Sequence, residues 1–390
     1  MRLERALFVL IAACTGSSDG GGGGASENVG ATQPAPGPTP APTPTTSASA
    51  PPPVQLGDPM QAHIARLLTD GRNLFRTDSL GSDAWFGGQL GLHQVLLKTS
   101  PNDLRKLGIG IDAVALPSAY LETIRMGKVD LDDPAITQQL LYQDAFVGLK
   151  GSFRSGRLVA VGVTCALCHS TVDDSFAQGI GMRRDGWPNR ALDAGRLFAL
   201  APQTDDATRA ALMKWGVGRV AGTPIPSLFA LAGVGLATPT AQGSIASFVA
   251  HEATDTMHAL PSRVAPSVAA LDFYVSTLPA PVAPSGSYDA AAASRGQFLF
   301  QNTAKCASCH VPPLFTEPGA VTHAASEIGI EGGGRYRTTP LAGVSTRLGA
   351  LYHDGRFGTL HDVIAHYETA LGITLTDDQI ADLTEYLMSL

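Results

Sequence analysis

Two segments place a pair of cysteines and a histidine at the same spacing: Cys165-Ala-Leu-Cys168-His169 and Cys306-Ala-Ser-Cys309-His310. The Cys-x-x-Cys-His pattern predicts covalent attachment of haem c. Each thiol adds to one vinyl group of the porphyrin, and the histidine after the second cysteine meets the iron from one side. Two copies predict two covalently bound haem c groups, with His169 and His310 as the proximal iron ligands, and hence redox chemistry. A zinc site built from paired Cys-x-x-Cys motifs is the competing reading of the same cysteines. The histidine at the same place in both copies favours haem.

What sits opposite each histidine sets what the iron can do. An open or displaceable sixth position can bind peroxide, whereas two strong ligands leave an electron carrier. For the first haem, Met182 in a Gly-rich loop is the leading distal candidate, with His93, His251, Met257 and His258 as rivals. Trp85 and Trp187 read either as aromatic bridges between haems or as ordinary core residues. Arg335, Arg337 and Arg356 are candidates for the haem propionates, because guanidinium forms charge-assisted hydrogen bonds to carboxylates.

The elements that must hold these groups are mainly helical. An amphipathic helix is predicted from Pro59 to Phe75, ending in Gly71-Arg-Asn-Leu-Phe75, and the similar Arg295-Gly296-Gln-Phe-Leu-Phe300 precedes the second motif. A closing helix runs from Thr376 to about Met388, with Thr376 and Gln379 as a capping box and Ile380, Leu383 and Leu387 on one face. Residues 76–164 are an insert ahead of the first motif. They carry helices over Pro117–Met126 and Pro134–Phe146, then a hairpin of Val147–Phe153 and Arg157–Val163 turning at Ser155-Gly156. The fold class predicted is mainly α: two cytochrome c-like haem domains, 58–280 and 281–390, with long loops and a minor β-hairpin. In cytochromes c a helix with Gly and an aromatic residue, just ahead of the haem motif, packs on a C-terminal helix. The second domain follows that plan, and the insert makes the first depart from it.

The segments Arg337-Thr-Thr-Pro-Leu341, Leu351-Tyr-His-Asp-Gly-Arg-Phe357, Thr359-Leu360 and His366-Tyr367 resemble the C-terminal haem domain of the bacterial di-haem cytochrome c peroxidase family, which includes the MauG enzymes. The resemblance covers residues 287–390. It implies an oxidoreductase that takes electrons from a small donor protein and delivers them to hydrogen peroxide. It also implies Tyr367 as distal ligand of the second haem, at the position where the peroxidases carry Met and MauG carries Tyr. His361 and His366 compete for that place, and His353 reads as a hydrogen-bonding residue at the haem edge. The first-motif region instead resembles a group of environmental di-haem c-type cytochromes. Ala342 stands where the peroxidase family has Arg, and that family's acid and amide residues beside its first haem have no counterpart in the sequence. A non-enzymatic electron relay and a haem-based sensor are the alternatives to turnover.

The rest of the chain bears on location and partners. Arg2, Arg5, the apolar run from Ala6 to Ala13 and then Cys14 resemble a bacterial lipoprotein signal over residues 1–14, with cleavage before Cys14 and lipid on its sulfur. Residues 15–57, with the glycine run Gly20–Gly24 and a Pro/Ala/Thr/Ser stretch, read as a spacer. The expected location is the periplasmic side of the bacterial envelope, with the lipid as the membrane anchor. Net charge −7 with a pI near 5.8 argues against nucleic acid and leaves a small electron donor or acceptor protein as the partner.

Overall fold

The computed structural model describes residues 57–241 and 243–390. The signal, Cys14 and spacer readings fall on residues 1–56, outside the described set. Residues 65–390 form one compact unit. The fold is mainly α, and its strands come as two-stranded pairs. Four of the pairs are antiparallel, and one, Ile111–Asp112 beside Ile180–Gly181, is parallel. Among the described residues no helix is long and apolar enough to cross a membrane.

The predicted elements form close to their expected bounds. The opening helix is Asp58–Thr77, and the insert helices are Ser118–Arg125 and Pro134–Tyr142. The latter stops short of Phe146 because the chain turns through a left-handed Asp144. The hairpin pairs Leu149–Arg154 with Arg157–Val163 across Ser155 and Gly156, both at positive φ. The closing helix is Asp377–Met388, and Thr376 and Gln379 exchange side-chain-to-backbone hydrogen bonds at its start.

Two helix crossings organise the unit, and they repeat. In the second, Ala290–Phe298 crosses Asp377–Met388 at Gly296. A Cβ there would lie 2.8 Å from Tyr386 Cβ and closer still to the Asp382 carbonyl oxygen, so only glycine lets the backbones meet. Phe300 is fully buried and stacks edge-on against Tyr386 with ring centroids 5.2 Å apart. In the first, the Asp58–Thr77 helix meets Pro261–Ser276 at Gly71, where a Cβ would lie 2.6 Å from Tyr274 Cβ and closer to the Ala270 carbonyl. Phe75, again fully buried, packs against Tyr274 at 5.6 Å. The insert separates Gly71 and Phe75 from the first motif as expected, but the Gly-x-x-x-aromatic crossing itself is present, and its partner helix lies after the first motif in the chain.

The insert does not interrupt that crossing because it buries its apolar residues in a separate cluster, shared with Leu192, Leu197 and Ile225 from beyond the motif. Phe86, Leu92, Leu96, Leu104, Ile111, Leu140 and Phe146 bury together, and the motif cysteines Cys165 and Cys168 pack on their edge. Cys165 also touches the core of the first crossing, around Phe75, Leu271 and Tyr274. The second motif's Cys306 packs on the core of Phe300, Leu383 and Tyr386. Each motif is thus mounted against a helix crossing.

Candidate functional site

The first motif follows the second hairpin strand, with Cys165 at the start of the short Ala166–His169 helix. Gly148, at the entry to the hairpin, has a left-handed φ of +83°, and a Cβ there would sit 2.5 Å from Leu167 Cβ. A side chain at Gly148 would push the hairpin off the motif turn. The turn is locked from the other side by Asn189. Its backbone N–H donates to the Cys168 carbonyl at 2.8 Å, and its amide group donates to the Leu167 carbonyl at 3.2 Å and the Gly108 carbonyl at 2.9 Å.

His169 is buried, and its Nδ1 lies 3.1 Å from the Pro226 carbonyl oxygen. A carbonyl only accepts, so the bond requires Nδ1–H and leaves the Nε2 lone pair free. His310 repeats the arrangement with its Nδ1 3.0 Å from the Phe315 carbonyl. Burial pushes both imidazoles down to about 4, which keeps them neutral. A neutral ring with its tautomer held by a backbone carbonyl is the form in which histidine binds a metal through Nε2. Burial also raises all four motif thiols, Cys165 and Cys168 to about 12 and Cys306 to about 11.

The distal candidates separate. Met182 is 54% exposed, and its backbone N–H donates to the Asp173 carboxylate at the start of the Arg183–Asp185 strand. Met257 is buried, with its Sδ 3.9 Å from Cys165 Sγ. Of the two thioethers, Met257 is therefore the one brought to the first motif. Among the other rivals, His251 is exposed and paired with Asp255 at 2.6 Å, and His258 stacks on Trp85 at 4.2 Å. His93 keeps a buried Nδ1 without a partner. Trp187 lies under the Arg184 guanidinium, 4.7 Å from its ring centre. Glu252, which sequence reasoning did not single out, has a half-buried carboxyl raised above its usual range by desolvation, and its charge reaches both Cys165 and Cys168.

Around the second motif, Tyr367 lies on the Leu360–Leu371 helix. Burial raises its phenol, and the Tyr352, Cys309 and Cys306 charges raise it further, which places it within the field of both motif sulfurs. His366 is taken by other partners: its Nε2 is 2.7 Å from the Tyr352 hydroxyl and 3.1 Å from the Ile328 carbonyl. His361 is exposed in the first turn of the same helix. His353 lies against Tyr336 and Tyr352, at 4.9 Å and 4.8 Å, with a buried, unpartnered Nδ1.

The three arginines read as propionate partners also divide. Arg335 is exposed and bonded to Thr322, and Arg356 is exposed, paired with Asp354 at 2.7 Å and set over the Tyr352 ring. Only Arg337 is buried. Sequence reasoning missed Arg347, equally buried, and Arg190, whose Nε is buried without a partner. Nothing in their local sequence marks either one. One set of three metal-capable atoms gathers within 4.8 Å among the described residues: Cys309, Glu317 and His323. Glu317 and His323 already pair at 2.6 Å, and Thr338 donates to Glu317 at 2.5 Å.

No family model matches the chain, and no curated protein does either. A chain of the Kuenenia stuttgartiensis hydrazine synthase, solved under 20 bar of xenon, is similar at 17% identity, covering 45% of this chain and 74% of that one, with a TM-score of 0.32. A likeness at that level carries no argument about fold or chemistry.

The donor set itself fits haem c at both motifs. Each offers two thiols at the required spacing and a neutral imidazole with a free Nε2. Two buried arginines, Arg337 and Arg347, have no carboxylate partner among the described residues, and Arg347 is tied through Pro340 and Leu341 to the segment that holds His310.

Proposed function

We propose that the protein is a di-haem c-type cytochrome of the bacterial envelope, an electron-transfer protein related to the cytochrome c peroxidase and MauG group. The observation that carries the reading is the repeated histidine geometry: both motif imidazoles, His169 buried and His310 half-buried, bond through Nδ1 to a backbone carbonyl and keep Nε2 for iron. Haem c bound there supplies one-electron redox chemistry. The protein's share is to hold the imidazoles in one tautomer, to keep the sites dry, and to choose the distal group. Met257 is the distal candidate at the first motif, and Tyr367 at the second.

With both distal groups in place, simple electron transfer between a small donor and an acceptor protein is the primary activity. Peroxidase-type turnover is the second reading, and Glu252 favours it. A half-buried carboxyl whose affinity for protons is raised by desolvation, and whose charge reaches Cys165 and Cys168, is a candidate group to hold and release a proton there. That activity requires Met257 to leave its place.

A pyridine haemochrome assay tests the reading: two haems per chain are expected, and a colourless protein refutes it. Electron paramagnetic resonance then separates the two activities. A high-spin signal that responds to peroxide supports turnover, and low-spin signals alone in every redox state support the relay. Cys14 is proposed as the lipid anchor, and Cys14→Ser is expected to release the protein from membranes.

A further inference from the structure

Where this fold buries an arginine for its own structure, it supplies a carboxylate. Arg183 and Asp112, both nearly fully buried, pair at 2.9 Å, and Arg76 pairs with buried Asp185 at 2.5 Å. Arg337 and Arg347 break this pattern. Each is only 9% exposed, and among the described residues neither has a carboxylate within 4.0 Å. Arg337 donates to backbone carbonyls only, those of Thr238 and Ala237 at 3.0 Å each and, more weakly, that of Thr338 at 3.5 Å. Arg347 donates one N–H to the Pro340 carbonyl at 2.5 Å, and its Nε, like that of Arg190, is buried with no partner among the described residues.

Arg337 and Arg347 are anchored on one short segment, at the Thr338 and Pro340 carbonyls, while the charges of Arg337 and Arg190 act on Arg347 and that of Arg219 acts on Arg190. Every charged group reaching the cluster in this way is positive, so mutual repulsion adds to the cost of burial. Carbonyl oxygens solvate a guanidinium but leave its charge in place, and a buried charge without a counter-ion is strongly unfavourable. The arrangement is therefore incomplete without an anion. The unused N–H groups of Arg347 and Arg190 fit a planar oxyanion, which accepts two parallel hydrogen bonds.

Position identifies the source. Arg347 is tied to the Pro340 carbonyl, and the next residue, Leu341, donates its N–H to the Phe315 carbonyl that also holds His310, the proximal candidate of the second motif. Arg190 directly follows Asn189, whose N–H holds the Cys168 carbonyl of the first motif. Arg337 ties the region to the first half of the chain through Ala237 and Thr238. We propose that Arg190, Arg337 and Arg347 form a buried carboxylate-binding node that takes a propionate of the second haem and, through Arg190, links the electrostatics of the two haem sites. This inference rests on the di-haem reading.

The test uses the full holoprotein, with haem labelled by ¹³C at the propionate carboxyls and read by infrared difference spectroscopy. In the wild type at least one labelled carboxylate is expected to stay ionised well below the ordinary carboxyl range. In Arg347→Gln that band titrates at higher pH, and Arg347→Lys restores part of the shift. In parallel the midpoint potential of the second haem falls in Arg347→Gln. Loss of a cation destabilises the more negative, reduced state. The fall is larger at high pH, where the released propionate is ionised, and smaller at low pH, where it is protonated. Arg190→Gln is expected to lower the potentials of both haems.

A wild-type chain without haem overturns the di-haem reading and the node with it. Two haems per chain, with labelled carboxyls that all titrate in the ordinary range in the wild type, overturn the node alone, even if Arg347→Gln fails to fold. A wild-type potential that depends on added acetate assigns the cluster to free carboxylates and overturns the propionate source.

Discussion

Substituting Gly296 by alanine tests whether the second haem motif is mounted on a helix crossing. The new Cβ would stand 2.8 Å from Tyr386 Cβ and nearer still to the Asp382 carbonyl. Carbon–carbon contacts settle at about 3.5–4.0 Å, so the helices must part by about 1 Å. The nearest obstacle is backbone, which has no alternative rotamer, so the cost belongs at the upper end of overpacking penalties, about 3 kcal/mol. Alanine recovers about 1 kcal/mol because it is the better helix former. The net loss is about 2 kcal/mol, roughly a 30-fold fall in the folded-to-unfolded ratio. The same separation loosens Phe300 from Tyr386 and Arg295 from Asp382, now 2.6 Å apart. The assay is the denaturant midpoint at constant m-value, followed by far-ultraviolet circular dichroism and by second-haem absorbance. Gly358, with nothing within 4 Å of a built Cβ and no left-handed φ, is the control, and Gly358→Ala is expected within about 0.5 kcal/mol of wild type. A Gly296→Ala protein as stable as the control would refute the crossing as the mount of the motif. Gly71→Ala is expected to repeat the loss at the first crossing, against Ala270 and Tyr274.

Three more predictions concern the sites. In the chain without haem, His169 and His310 are held near 4 in the fold, against an ordinary value of 6.5, so the unfolded chain binds protons that the folded one refuses. Their contribution is therefore complete above about pH 6.5 and lost as the pH falls toward 4, by up to about 3 kcal/mol each. Urea midpoints measured across that window should drop with acid, and a flat profile would contradict the burial of both rings. Met257→Ala should change the visible spectrum of the first haem while Met182→Ala leaves it as in the wild type. The reverse result would return the distal position to Met182. Tyr367→Phe should alter the second-haem spectrum alone, and a spectrum identical to wild type would exclude the phenol as its ligand.

The two motifs are legible in the sequence because the covalent haem attachment proposed for them demands contiguous residues. Cys165, Cys168 and His169, and likewise Cys306, Cys309 and His310, lie within one turn of chain and need no fold to be recognised. The capping box at Thr376 and the hairpin turn at Ser155-Gly156 were legible for the same reason, since each depends on neighbours a few residues apart. What tunes the motifs is not local. The Pro226 carbonyl that sets the His169 tautomer is a backbone group that every residue carries, so no side-chain type announces it. Met182 and Met257 are the same residue type, and only the chain path brings one of them to Cys165 and leaves the other in solvent. The first helix crossing was hidden because its partner, Pro261–Ser276, follows the motif and is separated from Gly71 by the whole insert. Arg190, Arg337 and Arg347 are ordinary arginines in sequence. Tertiary packing alone buries Arg337, Arg347 and the Nε of Arg190 without a carboxylate among the described residues, because burial and the absence of a counter-charge are properties of the neighbours and not of the residue.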